Sequence, residues 1–255
     1  MTGTVTGNQK TPAASGSVSS HPSVGLRESY VKWRTSHLGK TTDALETQLI
    51  LELLGPVDGL QLLDVGCGDG AFASELSRRG ADVTGLDVDP DMVTAARKRA
   101  EAAGAQSRFV EGTVERLPFG DAAFDGVVAV TVLCFVRDAE RAVAEMARVL
   151  KPGGRLVIGE LGRWSLWAAQ RRIRGWLGAA TWRAAKFRTL VELGRLVISA
   201  GLKRFETRGG VFYPPFAAAA RILAPIDPWL GRRTAFGAAF IALSASKPIT
   251  EPRRS

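Results

Sequence analysis

The sequence predicts an α/β protein built on a doubly wound, mostly parallel sheet. Two observations carry this prediction: strand-like and helix-like segments alternate from residue 61 to residue 159, and the best defined strand, residues 125–133, is a continuous apolar run. A continuous apolar run suits a strand that is covered on both faces. The regular βαβ alternation then predicts a parallel sheet with right-handed crossovers.

The first half of the chain supplies most of the alternation. A helix begins at Thr42, where apolar residues recur at helical spacing, and it ends at Gly55 and Pro56. The strands and helices that follow are predicted, in chain order, at residues 61–65, 72–79, 82–87, 91–103 and 108–112.

In the second half of the chain, the alternation of strands and helices continues to residue 159 and is less regular after it. After strand 125–133, a helix begins at Asp138 as its N-cap and ends at Lys151–Gly154, before a strand at 155–159. We predict a helix at 190–200 and two strand-like segments at 205–213 and 236–246 that form a hairpin-like pair.

The composition predicts one globular domain after a short tail. Residues 1–25 contain almost no large apolar side chains, so we predict a disordered tail, followed by a single domain at 26–250. The chain of 255 residues is 45% apolar, enough for a sizeable core. The start of the chain does not resemble a signal peptide, and the longest apolar stretch is too short to span a bilayer, so we expect a cytoplasmic protein.

The net charge of +9 is concentrated in one segment. Between Glu160 and Glu192 there are seven basic residues and no acidic one, while the rest of the chain is close to balanced. Residues 163–188 also contain four tryptophans, and Ile173, Trp176, Leu177 and Ala180 fall at the spacing of one helix face. We interpret this segment as a helical lid insertion with solvated arginines; contact with an anionic membrane and contact with nucleic acid are the alternatives.

A glycine-rich turn follows the first predicted strand, in the stretch LLDVGCGDGAFASEL at residues 62–76. A strand that runs through glycines into a helix presents bare amides and a positive helix end to a ligand. Gly66, Gly68 and Ala71 fit the dinucleotide pattern, and Asp87 stands at the end of the second strand, where a ribose-binding acid is expected. These residues alone support an adenosine cofactor of either the nicotinamide or the S-adenosylmethionine type.

Five motifs separate these two cofactors. They are LDVGCGDG at 62–69, GLDVDPDM at 85–92, FVEGTVERLPF at 109–119, AAFDGVVAVTVL at 122–133 and RVLKPGGRLVIGE at 148–160. In order and spacing, residues 45–248 resemble the class I S-adenosylmethionine-dependent methyltransferases, of the group related to ubiquinone and menaquinone C-methyltransferases (methyltransferase type 11 domain). The resemblance implies a seven-stranded, Rossmann-like methyltransferase fold with an antiparallel last strand.

The resemblance also implies a cofactor site for S-adenosyl-L-methionine. Asp64 and the backbone of the glycine loop would hold its methionine part, and Asp87 would accept hydrogen bonds from both ribose hydroxyls. The cofactor set that the resemblance implies consists of Asp64, Gly66, Gly68, Gly70, Asp87, Val88, Met92, Thr113, Val114 and Thr131.

The sequence departs from the family pattern at two places. Thr113 stands where the family usually has an aspartate that accepts from the adenine amino group, so the contact with adenine is expected to be weaker, with help from the backbone of Val114. Cys134 and Phe135 follow the fourth strand where many relatives have a polar pair, which makes the expected substrate pocket less polar.

The remaining pocket candidates are Tyr30, Trp33 and His37. Tyr30 and Trp33 fit an N-terminal flap over the cofactor, and ordinary packing explains them equally well. His37 and Cys134 are isolated residues, for which a surface or core position is the simpler interpretation. Neither cysteine has the spacing of a metal site or of a disulfide framework, and we predict no metal.

We therefore predict methyl transfer from S-adenosylmethionine to a small, apolar or amphipathic acceptor, such as a lipid, a quinone or a secondary metabolite. No catalytic residue is assigned, because alignment of donor and acceptor in a dry pocket can suffice. Three alternatives remain open: an RNA methyltransferase, a nicotinamide-dependent oxidoreductase, and a catalytically silent cofactor-binding partner protein.

Overall fold

The structure is a computed structural model that describes residues 33–249. Tyr30 and the predicted tail at residues 1–25 lie outside the described residues. The division of the chain at residue 26 therefore stays a prediction. The described part begins with a helical turn at residues 33–35 that leads into the first long helix.

The described residues form one mixed sheet of seven strands in the order β3-β2-β1-β4-β5-β7-β6. The strands are β1 Gln61–Val65, β2 Asp82–Asp87, β3 Arg108–Glu111, β4 Phe124–Val130, β5 Leu150–Leu161, β6 Lys203–Gly210 and β7 Phe240–Ser246. Strands β1 to β5 pair in parallel, and β7 runs antiparallel between β5 and β6. The predicted doubly wound, mostly parallel sheet with an antiparallel last strand is confirmed.

Helices cover both faces of this sheet. They are α1 His37–Leu54, α2 Ala71–Arg78, α3 Pro90–Ala102, α4 Ala139–Val149, α5 Leu166–Trp176, α6 Ala180–Ala184, α7 Leu190–Ser199, α8 Ala217–Leu223 and α9 Asp227–Gly231, with a 3₁₀ turn at Ala224–Ile226. Side chains of α1, α2 and α3 bury one face, and side chains of α4 and α7 bury the other. Because both faces are covered, the central strands are apolar on both sides, as the sequence predicted.

Two strand boundaries differ from the prediction because of local backbone geometry. Strand β4 ends at Val130 rather than at residue 133, because Thr131 takes a left-handed φ of +58° that interrupts pairing. Strand β5 begins at Leu150, so Lys151–Gly154 belong to the strand instead of only ending the helix. A register shift between Phe124 and Gly126 accommodates the extra residues as a bulge.

The basic insertion is helical, but the prediction of one continuous apolar face is wrong. Helix α5 ends at Trp176, and α6 begins only at Ala180. Trp176 and Leu177, which were predicted to line the apolar face, are more than four-fifths exposed. The buried face of α5 consists instead of Trp167, Ala168 and Gly175.

The final third contains the predicted antiparallel pair and a helical stretch that was not predicted. Strand β6 ends at Gly210 because Val211 has a left-handed φ of +61°, and β7 begins at Phe240, after a turn at Gly237 with φ of +81°. Between the two strands lie α8, the 3₁₀ turn and α9. In the described part of the chain, no helix combines the length and the apolar character needed to cross a membrane.

Candidate functional site

The glycine loop after β1 is held in a conformation that favours glycine. Gly66, Gly68 and Gly70 have φ of +69°, +53° and +73°. A Cβ atom at Gly66 would lie 2.5 Å from Val132 Cγ2, and one at Gly70 would lie 2.8 Å from Ala96 Cβ, so these two glycines permit close packing. A Cβ atom at Gly68 would meet nothing within 4 Å. Gly68 therefore leaves open space next to exposed backbone, as a ligand cradle requires.

Asp87, at the end of β2, is fixed against this loop. Its Oδ2 accepts from the backbone N–H of Gly68 at 2.8 Å, and its Oδ1 accepts from the backbone N–H of Asp89 at 2.9 Å. An ionised carboxylate offers about four acceptor positions, so each oxygen of Asp87 retains one. The geometry suits recognition of two neighbouring hydroxyl groups.

Asp64, in β1, is a buried carboxyl group directly below the loop. It is 3% exposed, and its Oδ2 has no hydrogen-bond partner among the described residues. Burial raises the pKa of Asp64 to about 7, and the neighbouring charge of Asp87 adds to the rise. An unpaired, buried acceptor of this kind favours a cationic or hydrogen-bond-donating ligand group.

The residues predicted to surround adenine lie at the ends of β2 and β3. Val88 is 40% exposed beside Asp87, Met92 is half-buried in the first turn of α3, and Val114 is buried. Thr113 is exposed, and its hydroxyl donates to Glu115 Oε2 at 3.3 Å. A hydroxyl that donates in this way can still accept a hydrogen bond from a ligand.

The loop after β4 adjoins the glycine loop, since β4 pairs with β1. Thr131 is half-buried, and its backbone N–H donates to the carbonyl of Gly159 at 2.7 Å. Cys134 is fully buried against Ala168 and other apolar residues, and burial raises the pKa of its thiol well above the usual value. Phe135 is 44% exposed. The geometry favours a packing role for Cys134, and its predicted pocket role stays a prediction.

The N-terminal segment contacts the glycine loop through Arg34. The guanidinium of Arg34 contacts Asp69 Oδ1 at 3.3 Å and Asp43 Oδ2 at 3.0 Å. The ring of Trp33 makes a T-shaped contact with that of Trp167, with 6.4 Å between the ring centroids, and its role as a flap over the cofactor stays a prediction. His37 is exposed at the start of α1, so the structure does not bring it into the site.

An aromatic cluster around Arg171 was not predicted. The guanidinium carbon of Arg171 lies 5.2 Å from the ring centroid of Trp167 and 5.0 Å from that of Trp182, within the range of cation–π attraction. The indole N–H of Trp167 donates to the carbonyl of Tyr213 at 2.8 Å, and the hydroxyl of Tyr213 lies 2.9 Å from Thr42 Oγ1. These contacts join α1, α5, α6 and the loop after β6.

Glu160, at the end of β5, is a second residue that the sequence analysis did not find. It is fully buried, and its Oε1 accepts from the backbone N–H of Leu133 at 2.6 Å. Arg188 donates to the carbonyl of Leu133 at 2.7 Å. Burial raises the pKa of Glu160 to about 7, against the opposing charge of Arg188 and the hydrogen bond from Leu133. The pair fixes the loop after β4.

Among the residues that were not predicted, those on α1 had a signal in the sequence and Arg171 had none. Thr42 and Glu46 are polar residues one turn apart in the apolar pattern of α1, which marks a face that is only partly core. Arg171 is one of seven cations in the basic segment, so nothing in the sequence distinguishes it from its solvated neighbours.

Comparison with known proteins agrees with this geometry. The family model described as a methyltransferase domain matches residues 63–158, which include the glycine loop, Asp87 and the loop after β4. The structure of an S-adenosylmethionine-dependent methyltransferase from Thermotoga maritima, a possible histamine N-methyltransferase, is 25% identical with a TM-score of 0.69, over 88% of this chain and 96% of that chain. Residues 63–158 form a methyltransferase domain, and the chain as a whole is similar in fold to S-adenosylmethionine-dependent methyltransferases.

The curated relatives are methyltransferases as well. The chain is similar to proteins named ubiquinone biosynthesis O-methyltransferase from Azorhizobium caulinodans, at 33% identity over 63% of this chain, and from Methylobacterium sp. strain 4-46, at 35% identity over 62%. The alignments cover 66% of each relative, just under two thirds of its length. The matching family model, these relatives and the Thermotoga maritima structure are all named as methyltransferases, which favours S-adenosylmethionine over a nicotinamide cofactor.

Proposed function

We propose that this chain binds S-adenosylmethionine and transfers its methyl group to a hydroxyl group of a small, apolar or amphipathic aromatic acceptor. The observation that carries the proposal is the convergence of the open position at Gly68, the fixed carboxylate of Asp87 and the unpaired buried carboxyl of Asp64 at one edge of the sheet. The names of the relatives, which specify O-methylation in ubiquinone biosynthesis, support a hydroxyl on a quinone-like ring.

The residues present fit the cofactor. Asp87 has acceptor positions for the ribose hydroxyls, and Asp64 offers a buried oxygen to the methionine ammonium, either directly or through a water. Val88 and Met92 offer apolar surface to the adenine. When bound, the cofactor supplies a methyl group on a positively charged sulfur, which is already a good leaving group.

The protein's contribution is alignment in a dry pocket. Trp33, Trp167 and Tyr213 form a connected aromatic cluster, in which Trp167 and Tyr213 are at most 5% exposed. We assign the acceptor to this cluster, where excluded water strengthens electrostatic interactions and packed side chains hold donor and acceptor in line. Apolar side chains of this kind suit a ring with an alkyl substituent better than a highly charged metabolite.

The proposal is tested by titrating S-adenosylhomocysteine into wild type, Asp87→Asn and Asp82→Asn. Asp82 is at the other end of β2, exposed and 3.8 Å from Arg108, so Asp82→Asn is the matched control. We expect wild-type affinity for Asp82→Asn and a loss for Asp87→Asn. Methyl transfer from labelled S-adenosylmethionine to 4-tert-butylcatechol then tests the acceptor class.

A catalytically silent partner protein is the second candidate, favoured by one observation. Thr113 replaces the carboxylate that the family pattern places near adenine, and its hydroxyl is engaged by Glu115. Cofactor binding without methylation of any phenol or extract component would support that candidate. RNA binding with a steep salt dependence would support the RNA methyltransferase alternative instead.

We also propose that the protein is cytoplasmic and that its basic segment makes peripheral contact with an anionic membrane. Trp164, Leu166, Trp176 and Leu177 are more than three-fifths exposed, and arginines lie between them in sequence. Exposed aromatic and basic residues on one segment suit an anionic interface. Co-sedimentation with vesicles of phosphatidylglycerol and phosphatidylcholine at low salt tests the proposal, and absence of binding would contradict it.

A further inference from the structure

Glu46 lies on the part of α1 that reaches the active edge of the sheet. The last turn of α1 is fixed where the continuous pairing of β5 with β4 begins, because Arg155, opposite Gly126, donates to the carbonyls of Leu53 at 3.1 Å and Leu54 at 2.8 Å. The first half of the helix therefore extends toward the opposite, carboxyl edge. Asp43, one turn before Glu46, is joined to the glycine loop through Arg34.

The neighbours of Glu46 come from three separate elements. Thr42, one turn earlier on the same helix, lies within hydrogen-bond distance of Tyr213 from the loop after β6. The positive charge of Arg171, on α5, acts on Glu46 and also on Cys134 in the loop after β4. Glu46 thus faces the space between α1, α5 and the loops after β4 and β6.

This space is lined largely by aromatic groups. Arg171 is held between Trp167 and Trp182, and Trp33 packs edge-on against Trp167. Glu46 itself is only partly exposed, and no hydrogen bond or ion pair engages its carboxyl group within residues 33–249. An uncommitted carboxyl group beside this aromatic cluster is available to a ligand.

We propose that Glu46 accepts the proton of the acceptor hydroxyl during methyl transfer. The assignment rests on the proposed function, that is, on a phenolic acceptor and S-adenosylmethionine. The O–H bond breaks and its proton passes to the carboxylate of Glu46. An oxygen electron pair forms the bond to the methyl carbon, and the electrons of the breaking carbon–sulfur bond remain on sulfur. The products are the methyl ether, S-adenosylhomocysteine and protonated Glu46, which returns its proton to solvent.

The electrostatic surroundings suit this role. Burial raises the pKa of Glu46 to about 8, Asp43 adds to the rise, and Arg171 and Arg34 oppose it. Tyr213 faces the same space but keeps its proton, because burial raises its pKa to about 12. A base whose pKa lies near the working pH, below that of an ordinary phenol, transfers protons efficiently. Other buried carboxyl groups accept from backbone N–H groups: Glu160 Oε1 accepts from Leu133, while its Oε2 has no partner among the described residues, and Asp227 accepts from Val211 and Phe212.

The test compares Glu46→Gln with Glu46→Asp and with Glu52→Gln as the matched control. Glu52 is on the same helix but exposed, 3.4 Å from Arg232. Two acceptors are used: 4-tert-butylcatechol, which is neutral near pH 7.5, and 4-nitrocatechol, which has already lost one proton. We expect Glu46→Gln to lower kcat/KM about 100-fold for the first acceptor and to leave the second within about 3-fold.

Further readouts separate proton transfer from structure. In wild type, kcat/KM for 4-tert-butylcatechol should rise as pH rises through the pKa of Glu46, and Glu46→Gln should lose this limb while Glu46→Asp retains part of it. Affinity for S-adenosylhomocysteine should stay at the wild-type level in all three variants.

Equal losses on both catechols would overturn the assignment, because they would indicate a structural effect. A roughly tenfold loss of S-adenosylhomocysteine affinity in Glu46→Gln would overturn it as well, since Glu46 would then serve the cofactor. A wild-type protein that binds S-adenosylhomocysteine but methylates neither catechol would refute the acceptor class, and Glu46 with it. Absence of S-adenosylhomocysteine binding would instead refute the proposed function at the cofactor step.

Discussion

Replacing Gly68 by alanine tests whether the open position at Gly68 is needed for cofactor binding, apart from the backbone strain that any side chain causes there. Gly68 and Gly104 share a left-handed φ, +53° and +64°, and at neither position would a Cβ atom meet anything within 4 Å. Gly104 follows the last turn of α3, at the opposite end of this helix from Met92, and its backbone N–H donates to the carbonyl of Glu101. Gly104→Ala is therefore a control with the same backbone cost but no ligand contact.

The cost of each substitution follows from two opposing effects. A left-handed conformation costs a non-glycine residue about 1–2 kcal/mol. The smaller conformational freedom of alanine in the unfolded chain returns about 0.4–1 kcal/mol. We expect each variant to lose roughly 1 kcal/mol of unfolding free energy, or about 2–4 °C of Tm.

Cofactor binding should distinguish the two variants. The methyl group of Gly68→Ala fills the open position beside the loop, so we expect the Kd for S-adenosylhomocysteine to rise at least about tenfold, which is about 1.4 kcal/mol. Gly104→Ala should bind like wild type. Thermal unfolding and calorimetry measure the two quantities. Wild-type affinity in Gly68→Ala would refute the cradle, and equal losses in both variants would show that strain alone is responsible.

Four further predictions follow from the described contacts. Asp87→Asn should weaken S-adenosylhomocysteine binding about 10–100-fold in calorimetry, because it replaces a charged acceptor. The folded-state pKa of Asp64 is raised, so the unfolding free energy of the cofactor-free protein should fall as pH rises from about 4 to 7. Asp64 contributes at most about 4 kcal/mol to this fall, and Asp64→Asn should remove that contribution. Asp227→Asn should lower unfolding free energy by about 1–3 kcal/mol in urea, because its two oxygens accept two backbone N–H groups. Trp176→Ala should weaken co-sedimentation with anionic vesicles while changing unfolding free energy by less than about 0.5 kcal/mol, whereas the exposed control Val191→Ala should change neither.

Each of these predictions has a contradicting result. An unchanged Kd in Asp87→Asn would remove the ribose assignment. Glu46 and Glu160 also have raised pKa values and leave part of the pH slope in Asp64→Asn, so a slope as steep as in wild type would show that Asp64 does not contribute to it. Full stability in Asp227→Asn would mean that the loop after β6 does not depend on these bonds. Equal vesicle binding by Trp176→Ala and Val191→Ala would refute the proposal that the basic segment contacts the membrane.

The parallel part of the fold was predictable because its strands and turns carry strong local signals. Apolar runs, N-caps such as Asp138 and glycine turns each fix an element within a few residues in sequence. The predicted strand ends were wrong where one residue takes an unusual backbone conformation, as at Thr131 and Val211. The residue types at these positions do not indicate a left-handed conformation.

The residues of the cofactor half of the candidate site could be proposed from the sequence, since they follow strands whose order is fixed by the fold. The residues of the acceptor half could not. Glu46, Arg171 and Tyr213 come from distant parts of the sequence, and only tertiary packing brings them together. The exposure of Ile173 and Trp176 could not be predicted, because helical spacing alone does not say whether an apolar face meets protein or solvent.

The central claim, an S-adenosylmethionine site on this chain, is tested most directly by calorimetry with S-adenosylmethionine, S-adenosylhomocysteine and NAD. We predict one binding site per chain for both sulfur compounds, with a Kd on the order of micromolar, and no heat of binding for NAD. Binding of NAD, or absence of binding for both sulfur compounds, would contradict it.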